Sequence, residues 1–451
     1  MKAWRRVRAS YWFVPGLMAL GAVGLSFVLL TIDHRLSSDW ALSFVPGQPG
    51  EARQLLTTIA GSMLGVAGVT FSVAVASVAY VSGQYGPRLL SDFMRDTGNQ
   101  VTLGTLIGTF VYCVLVLRGV RSAPEGGTEF VPQIALVGAL VLAMLGLVVL
   151  IYFLHHVPES IHISNVIAQI GRKLRAEVDT RFPERLGSEA AAAAMETEVV
   201  QALSGPSAAV ASTHGGYLLA LDERTLMEAA AEHDVVLELR YRPGDFVTPG
   251  KPLARCHPEA SCSEEAAEAV RSAFAFGGLR TPEQDVLLLA EELVEIATRA
   301  LSPGINEPFT ANRCLDWLGG ALEALVQRAP PDPRRCEEDG TLRVVVRPTT
   351  FADFAESIFG ALRPYLTSDR NAALHAFKVL GEIAGVAASA EARGILRHHA
   401  DAIFEGCEAR LGQATDLDEV RQRHRAVRGV LRGEEAYDHA AYHRQWLGGS
   451  A

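Results

Sequence analysis

The chain is predicted to fold as a membrane α-helical domain of four transmembrane helices, followed by a mixed α+β, mainly helical cytoplasmic domain containing a small β-rich unit. Three observations carry this prediction. The first third holds four long apolar runs, at about 11–31, 55–81, 101–117 and 131–154, and none contains an Asp, Glu, Lys or Arg. Each is close to or above the roughly 20 apolar residues that cross a bilayer as a helix. Most of the remaining chain mixes charged and apolar residues at helical spacing. One stretch, at about 206–262, instead alternates short apolar runs with Pro-Gly turns.

Composition agrees with this division. Of 451 residues, 49% are hydrophobic and 20% charged, against about 25% charged in an average soluble protein. The apolar surplus is therefore concentrated in one part of the chain. The formal charge of -10 gives no electrostatic reason to expect a nucleic-acid partner. Six cysteines are scattered without a CxxC pair, which fits reduced, cytosol-facing thiols rather than a disulfide framework.

The membrane domain is placed at 1–157. Its first run follows "MKAWRRVR" but is too long, and lacks the small-residue cleavage site, for a signal peptide. An uncleaved helix is expected. Lys2, Arg5, Arg6, Arg8, Arg88, Arg95, Arg172, Lys173, Arg175, Arg181 and Arg185 flank one side of the four runs, and only Arg35, Arg53, Arg118 and Arg121 the other. The positive-inside rule then puts both termini in the cytoplasm of a multi-pass, bacterial inner-membrane protein.

The second run is the most informative. In "AGSMLGVAGVTFSVAVASVAYVSGQYG", Gly61, Gly65, Gly68 and Ser72 step by three and four and continue through Ala76, Ala79 and Gly83. Such a stripe lets helix backbones approach closely in lipid, so it is read as a packing face. Thr70, Ser77, Tyr80 and Gln84 form a second, hydroxyl-bearing stripe. They are the candidate pore-lining residues of an oligomer. The alternative is that these hydroxyls bond back to their own helix and that Tyr80 and Gln84 sit at the interface. The third run repeats the theme with Gly104, Gly108, Thr102, Thr105 and Thr109. Without ionisable residues in the spans, a proton relay is not expected. "PRLLSDFMRDTGNQ", after the second run, suits an interfacial helix.

A helical connector is expected at 158–205. His155, His156 and His162 stand at its start, without a ligand set at a metal spacing. At 206–262, "SAAVAST" and "GYLLAL" read as strands, followed by the short helix "DERTLMEAAAEH". Strand and turn then alternate, with Pro243-Gly244 and Pro249-Gly250 as turn dipeptides. Part of this unit resembles the half-motif of biotinyl/lipoyl-type domains, but no carrier lysine stands in the required turn. Cys256, His257 and Cys262 lack the second pair that zinc requires. No metal and no cofactor are expected.

A helical domain is placed at 263–432 and a polar tail at 433–451. Thr281, Pro282 and Gln284 read as N-cap, N1 and N3 of a helix, which must stop before Pro303. In "RALSPGINEPFTANRC", Gly304 is expected to supply a positive φ and Asn306 to cap the next helix, beside Glu307. Arg299, Ser302, Asn306, Glu307 and Thr310 meet at this corner and are the candidate ligand or subunit contacts. Nothing supplies a GxSxG elbow, a P-loop or a dinucleotide fingerprint. No catalytic residue is assigned and the chain is not expected to be an enzyme.

Three stretches, "GPRLLSDFMRDTGNQ", "GTFVYCVLVLRGVR" and "RALSPGINEPFTANRCLDWLG", together resemble a bacterial family of predicted membrane proteins of unknown function. The resemblance spans nearly the whole chain, and its last motif, of SPGIN[DE]PFTA type, is specific. That family commonly has Asp where this chain has Glu307, which keeps the charge but adds a methylene. The resemblance implies four spans and a cytoplasmic domain, and supplies no reaction. The favoured reading is an oligomeric channel or transport-related protein, carrying an ion or small solute, with a cytoplasmic assembly or gating domain. The alternative is a membrane-anchored sensor or scaffold whose cytoplasmic domain binds a ligand or partner. A membrane-associated enzyme is the least favoured.

Overall fold

The computed structural model describes residues 12–35, 47–85, 96–122, 129–182, 199–329 and 331–443. Most of the expected interfacial helix, residues 183–198 of the connector and the last eight residues of the tail lie outside them. The chain divides into two compact units, Met1–Val166 and Ile167–Ala451.

The first unit is four helices, α1 (Phe13–Arg35), α2 (Pro49–Tyr85), α3 (Thr97–Gly119) and α4 (Gln133–Ser160). All four are long and apolar enough to cross a membrane, and each contains most of one predicted run. The helices overrun the apolar runs because helix propensity does not stop where hydropathy does. α3 is the centre: 61% of its most apolar window is buried, against 28% or less for the others. Its glycines explain why. A Cβ at Gly104 would meet Pro15 and Met18, one at Gly108 would touch Met18 and Ala22, and one at Gly119 would meet Leu30. The contacts rise together along both helices, so α1 and α3 run parallel and nearly touch. α2 runs the other way. Arg53 donates to the Val120 carbonyl at 3.0 Å, and Ala67 packs with Leu103 and Leu106.

One end of this unit is tied by side chains that reach between helices. α4 begins after Pro132, which has no capping side chain. Asp33, at the end of α1, accepts from the N–H groups of Ile134 and Ala135, both at 2.9 Å. A carboxylate there meets the positive end of the helix dipole. Tyr112 donates to the Ala135 carbonyl at 2.8 Å. At the other end Asp96 caps α3 through the Asn99 N–H.

In the second unit, α5 (Ile163–Arg181) lies against α9 (Pro308–Val326), because Gly171 leaves room only for the Trp317 ring. The strands are β1 (Ala208–Ala211), β2 (Gly216–Leu221), β3 (Val236–Leu239), β4 (Phe246–Val247), β5 (Pro252–His257), β6 (Phe274–Gly277), β7 (Arg334–Cys336) and β8 (Leu342–Val345). They form a five-stranded sheet, β1-β5-β3-β8-β7, and a three-stranded sheet, β4-β2-β6. The β-rich part therefore reaches well past 206–262. β3 and β8 pair in parallel, a long-range contact that strand patterning does not announce. α6 (Glu223–Glu232) and α7 (Glu264–Ser272) contribute Leu226 and Val270 to a core with Leu218, Leu237, Leu253 and Val344.

The helix expected to open at Thr281 opens instead as α8 (Val286–Ala300), capped by Asp285. Arg280 fixes Asp285 at 2.7 Å and also reaches Glu291. Gln284 is drawn elsewhere. Its Oε1 accepts from the Leu221 N–H at 2.8 Å and its Nε2 donates to the Leu221 carbonyl at 3.2 Å. After β8 come α10 (Phe351–Ala355), a π-helical turn (Glu356–Gly360), α11 (Ala361–Leu366), α12 (Arg370–Val386), α13 (Ala390–Arg410), α14 (Ala414–Leu431) and α15 (Tyr437–His443).

Candidate functional site

The corner between α8 and α9 is built by its backbone. Ser302 accepts from the Ile305 and Asn306 N–H groups, and the Ala300 carbonyl takes the Glu307 N–H at 2.7 Å. Closing this loop forces one left-handed residue. It is Asn306, with φ 52°, and not Gly304. Asn tolerates that region better than other residues bearing a Cβ, so the expected cap is a turn residue. Glu307 is the N-cap of α9, without a side-chain bond to the helix N–H groups. Its carboxylate instead accepts from the Thr310 hydroxyl at 3.1 Å.

The other two residues of the expected contact set have local partners. Arg299 pairs with Glu295 at 3.5 Å, and the Ser302 hydroxyl donates to the Arg299 carbonyl at 2.6 Å. Glu307 and Thr310 are brought together directly, while the Arg299 ion pair with Glu295 and the Ser302 hydroxyl bond run back into α8. Beside them Phe309 is 71% exposed and Ile305 40%, an apolar tip that attention to the polar residues overlooked.

α2 presents two faces within the four-helix unit. Thr70 and Ser77 are buried in the four-helix unit, and the Thr70 hydroxyl donates to the Ala67 carbonyl at 2.9 Å. Tyr80, further along, is exposed. Gln84 lies in α2, and its side chain is outside the described residues. At Gly61, Gly65 and Gly68 a Cβ would have nothing of this chain within 4 Å. Ser72 is exposed and donates to the Gly68 carbonyl at 2.8 Å. Within the chain, then, close helix approach falls to Gly104 and Gly108. The reason is volume: α2 turns Leu56, Ala60 and Ala67 inward and leaves its smallest residues outside.

Residues that pattern reading missed gather where α3 begins. Asp96 and His156 are 2.8 Å apart, and Tyr152 stacks on His156 at 4.9 Å. Asn99 is 1% exposed, and among the described residues neither amide atom has a hydrogen-bond partner. The nearby Thr102, Thr105 and Thr109 each donate to the carbonyl four residues back. Between α2 and α4 lies a groove of about 550 Å³, walled by Val66, Val69, Thr70, Val73, Leu150 and Phe153 among others.

In the second unit, burial, with the Cys262 thiol nearby, pushes the Cys256 thiol up to about 12. Both ring nitrogens of His257 are buried without a partner among the described residues. His155 approaches Glu159 at 3.8 Å. Among the described residues no group of three or more His, Cys, Asp or Glu is arranged to hold a metal.

Comparison with known proteins follows this architecture. A family described as "Predicted membrane protein (DUF2254)" matches residues 8–382. Uncharacterized proteins of Mycobacterium tuberculosis and Mycobacterium bovis are each 32% identical over 366 residues, covering 80% of this chain and 68% of theirs. No solved structure matches. With four apolar helices, a mainly helical second unit and a match across most of its length, this chain belongs to the DUF2254 family of predicted membrane proteins.

Proposed function

We propose that the protein is an oligomeric channel or transport-related protein of the bacterial inner membrane, with both termini and the second unit on the cytoplasmic side. The division of α2 carries this reading. Its outer face offers bare backbone at Gly61, Gly65 and Gly68. In lipid such a face favours close approach of another helix. The partner assigned here is a second copy of the chain, α2 against α2. Thr70 and Ser77 face inward, so the path for an ion or small solute runs inside each four-helix unit rather than along the oligomer axis. The second unit assembles and gates. The bilayer is the other partner, and the reading assigns no catalytic residue, cofactor, metal or nucleic acid.

Light scattering of the purified protein in detergent tests the assembly. The native chain is expected well above its protomer mass of 48.5 kDa, and Gly61→Leu with Gly68→Leu is expected to bring it down to that mass. A native protomer, or an oligomer indifferent to both changes, would sink the assembly. Solute flux into vesicles holding the native protein tests the path.

The alternative sensor or scaffold is favoured by a separate observation. The hydroxyls of Thr70, Thr102, Thr105 and Thr109 are bonded within their own helices, as an inert anchor requires. Assembly without any flux selects it.

A further inference from the structure

The groove between α2 and α4 is floored by the buried Thr70 and Phe153 and rimmed by the exposed Ser62, Val69, Val73 and Leu154. The Thr70 hydroxyl is already bonded to the Ala67 carbonyl, so the groove suits an apolar occupant. From Ser62 to Val73 it runs eleven residues along α2, about 16 Å at helical rise.

A ridge stands on another side of the same helix. Leu64, Phe71 and Val75 are exposed, and Trp12 of α1 lies against Phe71 with ring centroids 6.0 Å apart. Leu64 to Val75 is again eleven residues. Ridge and groove therefore match in length and lie at nearly the same depth, two residues apart.

Their positions around α2 are fixed by sequence. With Gly65 at zero and about 100° per residue, Gly61, Gly68 and Ser72 fall at about −40°, −60° and −20°. The rim residues Ser62, Val69 and Val73 fall at about 60°, 40° and 80°, and the ridge residues Leu64, Phe71 and Val75 at about −100°, −120° and −80°. The bare face, where a Cβ at Gly61, Gly65 or Gly68 would have nothing of this chain within 4 Å, lies between groove and ridge.

All copies of a membrane protein insert in one orientation, set by the same flanking charges. Two α2 helices therefore meet parallel, and a closed pair has its two-fold axis along the membrane normal. Half a turn about that axis sets glycine face on glycine face and exchanges the flanks, so each groove meets the ridge of the other copy. A lipid chain offers similar apolar atoms but must give up its freedom to lie still, whereas the ridge is already ordered on its helix.

We propose that the α2–α4 groove is the socket of a two-fold homodimer, covered and filled by Leu64, Phe71 and Val75 of a second copy. This rests on the α2–α2 contact of the proposed assembly. It adds the symmetry, the stoichiometry and the side chains that interlock.

Two variants exploit the exchange of flanks. Val69→Trp overfills the rim, and Phe71→Ala trims the ridge. A Val69→Trp homodimer carries two clashes and should form about tenfold less readily than the native one, the scale of an overpacked contact. Differently tagged Val69→Trp and Phe71→Ala copies, co-expressed as full chains, should pair with each other. In that pair one contact joins the enlarged rim to the trimmed ridge, and the other is native. Light scattering in detergent should give twice the protomer mass for the native chain and for this mixture, and largely protomer for Val69→Trp alone. Val148→Trp, at an exposed α4 position outside the groove walls, should change nothing. Should Val69→Trp not fold, Val73→Trp takes its place. A mixture that pairs no better than Val69→Trp alone, a Val69→Trp dimer as stable as the native one, or a native oligomer of another mass overturns the socket. An acyl chain resident in the groove would give the second of these results. Gly61→Leu with Gly68→Leu separates the two readings. Loss of assembly there, with none in Val69→Trp, keeps the α2 contact and removes the socket, whereas a native protomer removes both.

Discussion

Asn306 has one physical role that can be isolated. Its φ of 52° costs a residue bearing a Cβ about 1 kcal/mol, less for Asn and nothing for Gly. Asn306→Ala should therefore lower stability by about 1 kcal/mol while Asn306→Gly stays near neutral, read by chemical unfolding of the detergent-solubilised chain. Equal losses for the two would mean that the side chain, not the backbone, matters. Much of the corner was legible: Pro303 and Pro308 bound the turn, and Glu307 and Thr310 meet across it. The left-handed position was misassigned to Gly304 because both residues tolerate it, and only the bond from Glu307 to the Ala300 carbonyl distinguishes them. The same competition moved a helix start from Thr281 to Asp285. "TPEQD" contains two usable caps, and the Arg280 ion pair, remote from any local rule, selects the second.

At the scale of elements, α13 and α14 carry a pH dependence. Burial pushes the imidazoles of His399 and His424 below their usual 6.5. The unfolded chain then binds more protons than the folded one as pH falls, so stability is whole above about 6.5 and drains away below it. Thermal midpoints at pH 7.5 and 5.5 should show the loss. The drop should shrink in His424→Phe, which suits a site where His424 stacks on Phe404 at 4.3 Å; an unchanged drop there and in the same change at His399 removes these groups as the cause. Elements differ in how openly sequence announces them. The spans are announced by the absence of charge over long runs. β6 and β7 are not, because each is short and acquires its meaning from partners far along the chain. Asn99 was hidden for a related reason: "DTGNQ" reads as a hydrated flank, yet α3 begins at Thr97 and takes the amide inside.

For the whole molecule, orientation is the property most open to direct test. Cys336 is exposed, while Cys113, Cys256, Cys314 and Cys407 are buried. A membrane-impermeant maleimide should label Cys336 in inverted inner-membrane vesicles and leave it unlabelled in intact spheroplasts. The opposite pattern reverses the topology that the Lys/Arg asymmetry implies. The division into two units was legible as a change in composition. The entry of β7 and β8 into a sheet begun more than a hundred residues earlier was not.

The two bonds from Gln284 to Leu221 have a bearing on how this protein survives its own synthesis. β4 pairs with only the first two residues of β2, and the 244–245 turn takes the N–H and carbonyl of Leu218. Gln284 covers the last N–H and carbonyl beyond them. Without it, β2 would end in an open strand edge, the template on which identical chains add to one another. Gln284→Ala should therefore yield more high-molecular-weight aggregate on overexpression, seen by sedimentation, with little change in the helical content of the fraction that folds. One side-chain amide imitates the missing strand and guards the chain against its neighbours before it is fully folded.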